Sequence, residues 1–348
     1  MYTKYCKIMT DANEIFIYKE NSIENIKPSL PFYKKLAINF LAIDMGEFIN
    51  DDYLAEIFSI NETLKKEGMG LMLRLDLLIL SQNLIDSKVD DLTWENTKVK
   101  RAGLSFLNFL VKRGICAFDF LNLSKMLDNR NLLKGIREIN KNVRHLNENV
   151  ITTSLIEDQE FLRHLSRGMR TDFSFVRTKI DCLKHEDLSR LFSQGPNFAI
   201  SFDNFNNTNL TNYEYFSKSQ VLSNIFALKG PVYLDASKID IKTEGPFYDI
   251  FYFMEEILKI RDENNSLRQG DFLEIFKKDK DILAYIRSYK NEKALVINNL
   301  SQKEFLLPIS MYLADYSSYK LALGNYGQRT MVDNLLVRPF ETLIFIKK

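Results

Sequence analysis

The sequence has few of the residues that build disulfide-linked or metal-binding proteins. It contains 3 cysteines and 3 histidines among 348 residues, with no CxxC pair and no closely spaced histidines. An odd number of widely separated cysteines argues against a disulfide framework, and scattered histidines argue against a zinc site. We therefore expect no metal ion and no other cofactor.

The sequence also lacks a charge excess and a long apolar run. Its 47 Lys and Arg residues balance 46 Asp and Glu residues, so the formal net charge is +1. This balance gives no reason to expect nucleic acid or an anionic membrane as the partner. No run approaches the roughly 18 apolar residues of a transmembrane helix, and the first residues contain no signal-peptide core. These absences predict a cytoplasmic protein without a membrane anchor.

A glycine-rich phosphate loop is missing as well. None of the 13 glycines falls in a GxGxxG or GxxxxGK[ST] pattern, which argues against a doubly wound nucleotide-binding sheet. What the chain does have is an average globular composition, with 45% hydrophobic and 27% charged residues. That composition supports a large buried core. The length suggests about two domains, or one barrel-sized domain with an appendage.

Buried strands and amphipathic helices alternate along most of the chain. The apolar runs that predict strands are Glu14–Tyr18, Ala37–Ile43, Met69–Leu78, Ile115–Leu121, Val150–Leu155, Asp172–Val176, Asn197–Phe202 and Pro231–Leu234. The periodic segments that predict helices are Asp52–Glu67, Thr97–Arg113, Leu132–Asn147, Asp158–Ser166, Asp181–Phe192, Ser217–Leu228 and Tyr248–Asp262. Gly68, Gly114 and Gly230 lie where a helix must stop before a strand. This repeated alternation predicts an α/β fold, the (β/α)8 TIM barrel.

The pattern changes after about residue 269. Short segments that alternate apolar and polar residues follow one another, as is typical of antiparallel sheets. These segments are Asp271–Phe276, Ile282–Tyr289, Ala294–Asn299, Phe305–Pro308, Lys320–Leu323 and Leu335–Ile346. We therefore predict a barrel domain at residues 1–268 and a C-terminal antiparallel β-sandwich at residues 269–348.

Two segments of the chain carry a resemblance to a known family. The first is Asp91–Asp119, DLTWENTKVKRAGLSFLNFLVKRGICAFD, and the second is the tail from Ser266, SLRQGDFLEIF through RPFETLIF. They resemble the α-amylase family (glycoside hydrolase family 13), in its oligo-1,6-glucosidase and trehalose-6-phosphate hydrolase branch. That branch carries PDLNWENPxVR, then a helix, then GVDGFRMD. The resemblance implies a TIM barrel followed by a β-sandwich.

The carboxylates that this family uses for catalysis are absent at the matching positions. Aligning GVDGFRMD with Gly114–Leu121 places Leu121 at the nucleophilic Asp and Asp119 at the Arg. Leu155 stands where the strand-five motif has its acid, and Asn206 stands at the third carboxylate. A retaining glycosidase needs two carboxylates about 5–5.5 Å apart. The resemblance therefore implies a fold without its hydrolytic residues, that is, a pseudoenzyme.

Other polar residues near predicted strand ends are candidates for the pocket. The family motif D-x-V-x-N-H matches Arg74–Ile79 without its Asn and His, and the Asn-His-Asp motif matches Asn204 to Asn206. The candidate pocket residues are Asp76, Asp119, Asp203, Asn204, Phe205 and Asp235. A relocated carboxylate pair among them stays open, and it would make the protein an active α-glucosidase of the oligo-1,6-glucosidase type.

The cleft of the family is also reduced here. Only Ser81–Asp90 stands where the family inserts a domain that forms one wall of the substrate cleft. We expect a catalytically inactive carbohydrate- or protein-binding scaffold of carbohydrate metabolism. An oligosaccharide, a sugar phosphate or a protein is the expected partner, and the Asn- and aromatic-rich segment Asn197–Phe216 suits sugar rings and hydroxyls.

Overall fold

The structure is a computed structural model that describes most of the chain. The described residues are 15–46, 49–85, 93–123, 132–156, 176–179, 198–201, 214–227, 230–235 and 250–347. They group into two compact units. One comprises Met1–Lys179, Asn197–Ser201 and Tyr233–Ser237, and the other comprises Ile180–Pro196, Phe202–Val232 and Lys238–Lys348.

Short parallel strands build the first unit. They are β1 (Phe16–Lys19), β2 (Phe40–Asp44), β3 (Gly70–Leu75), β4 (Ala117–Phe120), β5 (Ile151–Ser154), β6 (Val176–Lys179), β7 (Phe198–Ser201) and β8 (Val232–Asp235). A six-stranded sheet has the order β5-β4-β3-β2-β1-β8, and β6 pairs with β7. Neighbouring strands from β1 to β5 pair in parallel, as do β6 and β7. The predicted fold class, a TIM barrel followed by a β-sandwich, is confirmed.

Helices join these strands, and the sequence predicts the three longest of them but not the two short ones. They are α1 (Leu30–Lys35), α2 (Asp51–Lys66), α3 (Leu77–Asn83), α4 (Thr97–Lys112) and α5 (Leu132–Leu146). The Asn50 side chain caps α2 by accepting from the Tyr53 amide, and acidic residues fill the first turn, where the helix dipole favours them. Gly68 and Gly114 follow α2 and α4 at φ 77° and 86°. That left-handed backbone ends a helix with little strain only at glycine.

One barrel prediction differs from the structure, and others lie wholly or partly outside the described residues. The apolar run Met69–Leu78 is not one strand, because β3 ends at Leu75 and α3 begins at Leu77. The Asp76 carboxylate starts that helix by accepting from two of its amides, and a buried leucine run fits strand and helix equally well. The strand predicted at Asp172–Val176 is described from Val176 onward. The helices predicted at Asp158–Ser166 and Asp181–Phe192 lie outside the described residues.

The inward face of the barrel strands is apolar toward their N-terminal ends and polar toward their C-terminal ends. Its buried cluster consists of Ile15, Ile17, Phe40, Ala42, Met72, Ala117, Ile151 and Tyr233. Two residues further along β2 to β5, on the same face, the register places Asp44 beside Arg74, Arg74 beside Asp119, and Asp119 beside Thr153. The strands therefore carry a polar layer at their C-terminal ends.

The second unit contains helices and antiparallel sheets. The helices are α6 (Glu214–Phe226), α7 (Ile250–Glu263) and α8 (Asn265–Gln269). The strands are β9 (Asp271–Ile275), β10 (Ile282–Tyr289), β11 (Glu292–Asn299), β12 (Phe305–Pro308), β13 (Lys320–Gly324), β14 (Asn334–Val337) and β15 (Thr342–Lys347). One sheet has the order β13-β15-β11-β10-β9, and β12 pairs with β14. The segment Leu335–Ile346, predicted as one strand, is divided by a turn in which Phe340 has φ 52°.

Buried hydrogen bonds join α6 to the C-terminal sheet within this unit. The Thr342 hydroxyl lies 2.8 Å from the Ser223 hydroxyl and 2.7 Å from the Asn298 side-chain oxygen. The Arg287 guanidinium donates to the carbonyl oxygens of Gly270 and Ala227. Burial lowers the pKa of Arg287 to about 10, and its three hydrogen bonds to carbonyls compensate part of the lost hydration.

Candidate functional site

Charged side chains lie at the C-terminal ends of the barrel strands. Lys19, Asp44 and Asp235 are the last residues of β1, β2 and β8. Arg74 and Asp119 precede the last residues of β3 and β4. Because active sites of TIM barrels are built at this end of the strands, this group, here called the mouth network, is the candidate functional site.

The mouth network is a chain of alternating charges. The Lys19 ammonium lies 3.4 Å from the Asp235 carboxylate and 3.2 Å from one oxygen of Asp44. The other Asp44 oxygen accepts from Arg74 Nη1 at 2.5 Å. Arg74 Nε donates to the Asp119 carboxylate at 2.8 Å. The chain of contacts therefore crosses β8, β1, β2, β3 and β4 without interruption.

Exposure differs strongly along the mouth network. Asp119 is fully buried, the Arg74 side chain is 12% exposed, and the Asp44 side chain is 53% exposed. Burial by itself lowers the pKa of Arg74, but nearby Tyr233, Asp119 and Asp44 outweigh it and raise that pKa above its ordinary value. The guanidinium therefore stays charged, and the inner part of the network is a buried ion pair.

Asp76 has a structural role at the start of α3. One of its carboxylate oxygens accepts from the Leu78 and Ile79 amides at 3.1 and 3.3 Å. The other accepts from the Asn122 side chain at 2.7 Å. Asp76 therefore caps a helix, a role that an Asp directly before an apolar helix predicts from sequence.

The two positions that the family motifs match to the nucleophile and the acid are apolar and lie on neighbouring strands. Leu121 and Leu155 each lie two residues beyond the register pair of Asp119 and Thr153, so they extend the same face of neighbouring strands. The Leu121 amide donates to the Leu75 carbonyl at 2.8 Å, and both leucines are half-buried. Neither side chain can attack a sugar or transfer a proton.

The structure brings some predicted site residues together and leaves others apart. Asp119 and Asp235 are joined through Lys19, Asp44 and Arg74, whereas Asp76 lies outside that chain of ion pairs. The remaining predicted residues, Asp203, Asn204, Phe205 and Asn206, lie outside the described residues.

The predicted pocket residues do not include Arg74, which lies inside a matched motif. They also lack Lys19 and Asp44, which lie outside the matched motifs. Each is a charged residue that ends a short apolar strand, in the segments FIYK and FLAID. That position places a side chain at the mouth of a TIM barrel. A charge that closes an apolar strand is therefore the signal that would have found them.

A buried polar group lies beside the network. Thr153 is fully buried on β5, and its hydroxyl has no hydrogen-bond partner among the described residues. The Tyr233 hydroxyl lies 3.5 Å from the Asp119 carboxylate.

Across the described ranges, no group of three or more His, Cys, Asp and Glu residues is arranged to hold a metal ion. No helix in the same ranges is long and apolar enough to cross a membrane.

Known proteins similar in sequence are glucosidases and related hydrolases. The family model described as the alpha-amylase SusG C-terminal domain matches residues 282–344. The oligo-1,6-glucosidase of Bacillus cereus is 30% identical over 97 residues, which are 28% of this chain and 17% of the relative. The trehalose-6-phosphate hydrolase of Bacillus subtilis is 32% identical over 111 residues, or 30% and 20% of the two chains. These matches span at most a fifth of the relatives' length.

Solved structures show the same fold over nearly the whole chain. The trehalose-6-phosphate hydrolase of Bacillus licheniformis has a TM-score of 0.74 at 14% identity, covering 97% of this chain and 100% of that one. The isomaltulose synthase of Klebsiella sp. LX3 has a TM-score of 0.73 at 12% identity, with 97% and 100% covered. The protein is therefore of the TIM-barrel class with a C-terminal β-sandwich. More particularly, the sequence matches confirm its resemblance to the α-amylase family, in the oligo-1,6-glucosidase and trehalose-6-phosphate hydrolase branch.

Proposed function

We propose that the protein is a catalytically inactive α-amylase-family-like protein that binds a ligand without hydrolysing it. The observation that carries this proposal is the pair of leucines, Leu121 and Leu155, at the nucleophile and acid positions on adjacent strands. A covalent route without a nucleophile forms no glycosyl-enzyme intermediate.

The surrounding carboxylates support the proposal because each is already engaged. A general acid must keep its proton near neutral pH, which requires a carboxyl group away from cations. Asp119 contacts Arg74, Asp235 contacts Lys19, and Asp44 contacts both cations. For the alternative, an α-glucosidase with a relocated pair, the described candidates Asp119 and Asp235 each lie beside a cation, and Asp203 lies outside the described residues.

An oligosaccharide or a sugar phosphate is the ligand class that we propose. The mouth network places the cations Lys19 and Arg74 beside the half-exposed Asp44, and charged groups of this kind suit the hydroxyls and phosphate of a sugar ligand. The name of one relative, trehalose-6-phosphate hydrolase, supports a sugar phosphate. The cytoplasm is the compartment that we propose for this binding.

A protein partner is the second candidate, and a surface of the second unit favours it. Leu306 and Leu336 are register partners on β12 and β14, and both are exposed. Met311, in the 3-10 turn after β12, is also exposed. Clustered apolar side chains of this kind mark interaction surfaces.

Turnover assays test the proposal. Purified protein incubated with maltose, isomaltose, sucrose and trehalose-6-phosphate across the pH range should release no glucose above background. Glucose release that disappears in Asp203→Ala, or in an Asp119→Ala variant shown by circular dichroism to be folded, would establish the relocated-pair alternative instead.

A further inference from the structure

The Asp44 carboxylate bridges two cations that belong to the strands on either side of it. One of its oxygens lies 3.2 Å from the Lys19 ammonium, and the other lies 2.5 Å from Arg74 Nη1. The two cationic side chains are 12% exposed, whereas that of Asp44 is 53% exposed. The cations are therefore part of the wall of the mouth, and the carboxylate between them faces solvent.

Each cation keeps another partner if Asp44 moves away. Lys19 retains Asp235 at 3.4 Å, and Arg74 retains Asp119 at 2.8 Å. The four remaining groups carry no net charge, so an incoming anion meets no net repulsion. Proteins also bind carboxylate and phosphate groups in this way, with an ammonium and a guanidinium that each hold one oxygen.

We propose that Lys19 and Arg74 form an oxyanion-binding site at the mouth of the barrel, and that Asp44 occupies this site until a phosphate or carboxylate group displaces it. The proposal deepens the proposed function by naming the ligand group, and it rests on that function only in placing a ligand at the mouth. A tethered carboxylate competes as if present at millimolar concentration or above, on the order expected for intramolecular groups. The wild-type protein should therefore bind a free oxyanion weakly.

Inorganic phosphate binding to an emptied site tests the proposal. In Asp44→Ala the two cations lose their bridging carboxylate, and isothermal titration should show phosphate binding at least tenfold tighter than in wild type. Asp51→Ala removes an exposed carboxylate from the first turn of α2 and is the matched control for net charge. Equal affinities in wild type, Asp44→Ala and Asp51→Ala would overturn the proposal.

A second substitution locates the gain. Adding Lys19→Gln to Asp44→Ala should abolish the tenfold gain, provided that circular dichroism shows a folded protein. If the double variant binds phosphate as tightly as Asp44→Ala, the phosphate binds elsewhere and the proposal fails.

Parallel titrations with glucose 6-phosphate, gluconate and glucose distinguish a phosphate ligand from a carboxylate ligand. Phosphate and the two anionic sugars should each show the Asp44→Ala gain, and tighter binding of one sugar than of phosphate identifies it as the better mimic. Glucose should show no gain, and an equal gain for glucose would refute an oxyanion site. A wild-type protein that hydrolyses sugars would refute the proposed function and leave these affinities unchanged, so the two failures are distinguishable.

Discussion

Asp119 shows how one carboxylate at a barrel mouth can serve folding instead of catalysis. It lies two residues before Leu121, the position matched to the family nucleophile, and on the same face of the strand. Its side chain is fully buried. A carboxylate at that depth is stable only when a cation and hydrogen bonds compensate its lost hydration. Arg74 supplies both at 2.8 Å. Asp119 is therefore held in a buried ion pair with Arg74.

Removing Asp119 should therefore destabilise the protein far more than removing Asp44. Asp119→Ala leaves the Arg74 guanidinium without its buried partner, and breaking such a pair costs about 3–5 kcal/mol. Asp44→Ala removes a half-exposed partner, and we expect a cost of about 1 kcal/mol or less. Urea denaturation of the two variants and the wild type measures both values. Similar free energies of unfolding in the two variants would contradict the buried-pair interpretation.

From the raised pKa of Tyr319 we predict that the free energy of unfolding falls at alkaline pH. Burial, together with the nearby Asp315 carboxylate, raises the pKa of this tyrosine from 10.0 to about 12. Between these two values the unfolded chain loses the phenol proton while the folded chain keeps it, so the free energy of unfolding falls as the pH rises. Below pH 10 the contribution is fully present.

The measurement is the melting temperature from pH 9 to pH 12 in wild type and Tyr319→Phe. The substitution removes no hydrogen bond that the structure describes, and it should make the alkaline decline shallower. Tyr252→Phe alters an exposed ring and serves as the control. Parallel declines in wild type and Tyr319→Phe would show that Tyr319 is not responsible.

At the scale of elements, β3 and β4 carry a charge pair that is reversed relative to the family motifs. The motif D-x-V-x-N-H begins with Asp at the position of Arg74, and GVDGFRMD has Arg at the position of Asp119. The parallel register places these two positions opposite each other. The pair of positions therefore keeps opposite charges although each sign has changed, which indicates that the pairing itself stabilises the two strands.

Charge reversal tests this pairing directly. Arg74→Asp alone and Asp119→Arg alone each bring like charges together in a buried position, and each should cost about 3–5 kcal/mol. The double variant restores an Arg–Asp contact and should recover more than half of that loss. Recovery stays incomplete because a carboxylate at position 74 then faces Asp44, and adding Asp44→Asn should recover more. Additive losses in the double variant, measured by urea denaturation, would rule out the pairing.

Element positions could be predicted from sequence largely because their signals are local. Strand runs, helix periodicity and the stop glycines each lie within a few residues, and β10 and β12 were predicted to the residue. The failures occurred where a local signal is ambiguous, as in the leucine run after β3. The mouth network depends instead on contacts such as Arg74 with Asp119, 45 residues apart in sequence, which the register of the strands creates. The family motifs point to Leu121, Leu155 and Asn206, but they contain no signal for the ion pairs of the mouth network.

At the scale of the whole molecule, the residues that the fold requires are separate from those that hydrolysis requires. The apolar layer of the barrel and the register from β1 to β5 require only buried strands of suitable length. Hydrolysis requires a few carboxylates at the mouth, a cleft that positions the sugar, and a place for the attacking water. Leucine at positions 121 and 155 satisfies the requirement for buried strands, because leucine at the end of a buried strand packs well. The barrel can therefore keep its fold with leucine at both positions.

This separation predicts that restoring two carboxylates will not restore an enzyme. The double variant Leu121→Asp and Leu155→Glu returns the nucleophile and acid residue types to adjacent strands, as the register of β4 and β5 requires. The third carboxylate stays replaced by Asn206, and the family's Arg stays replaced by Asp119, whose charge repels a second carboxylate on the same face. The inserted domain that walls the cleft in the family is still represented only by Ser81–Asp90. We expect the double variant to fold and to release glucose from isomaltose no faster than wild type. Single-turnover assays with an activated aryl glucoside provide the sensitive measurement, and a burst of aglycone in the double variant would show that the two leucines alone had silenced the site.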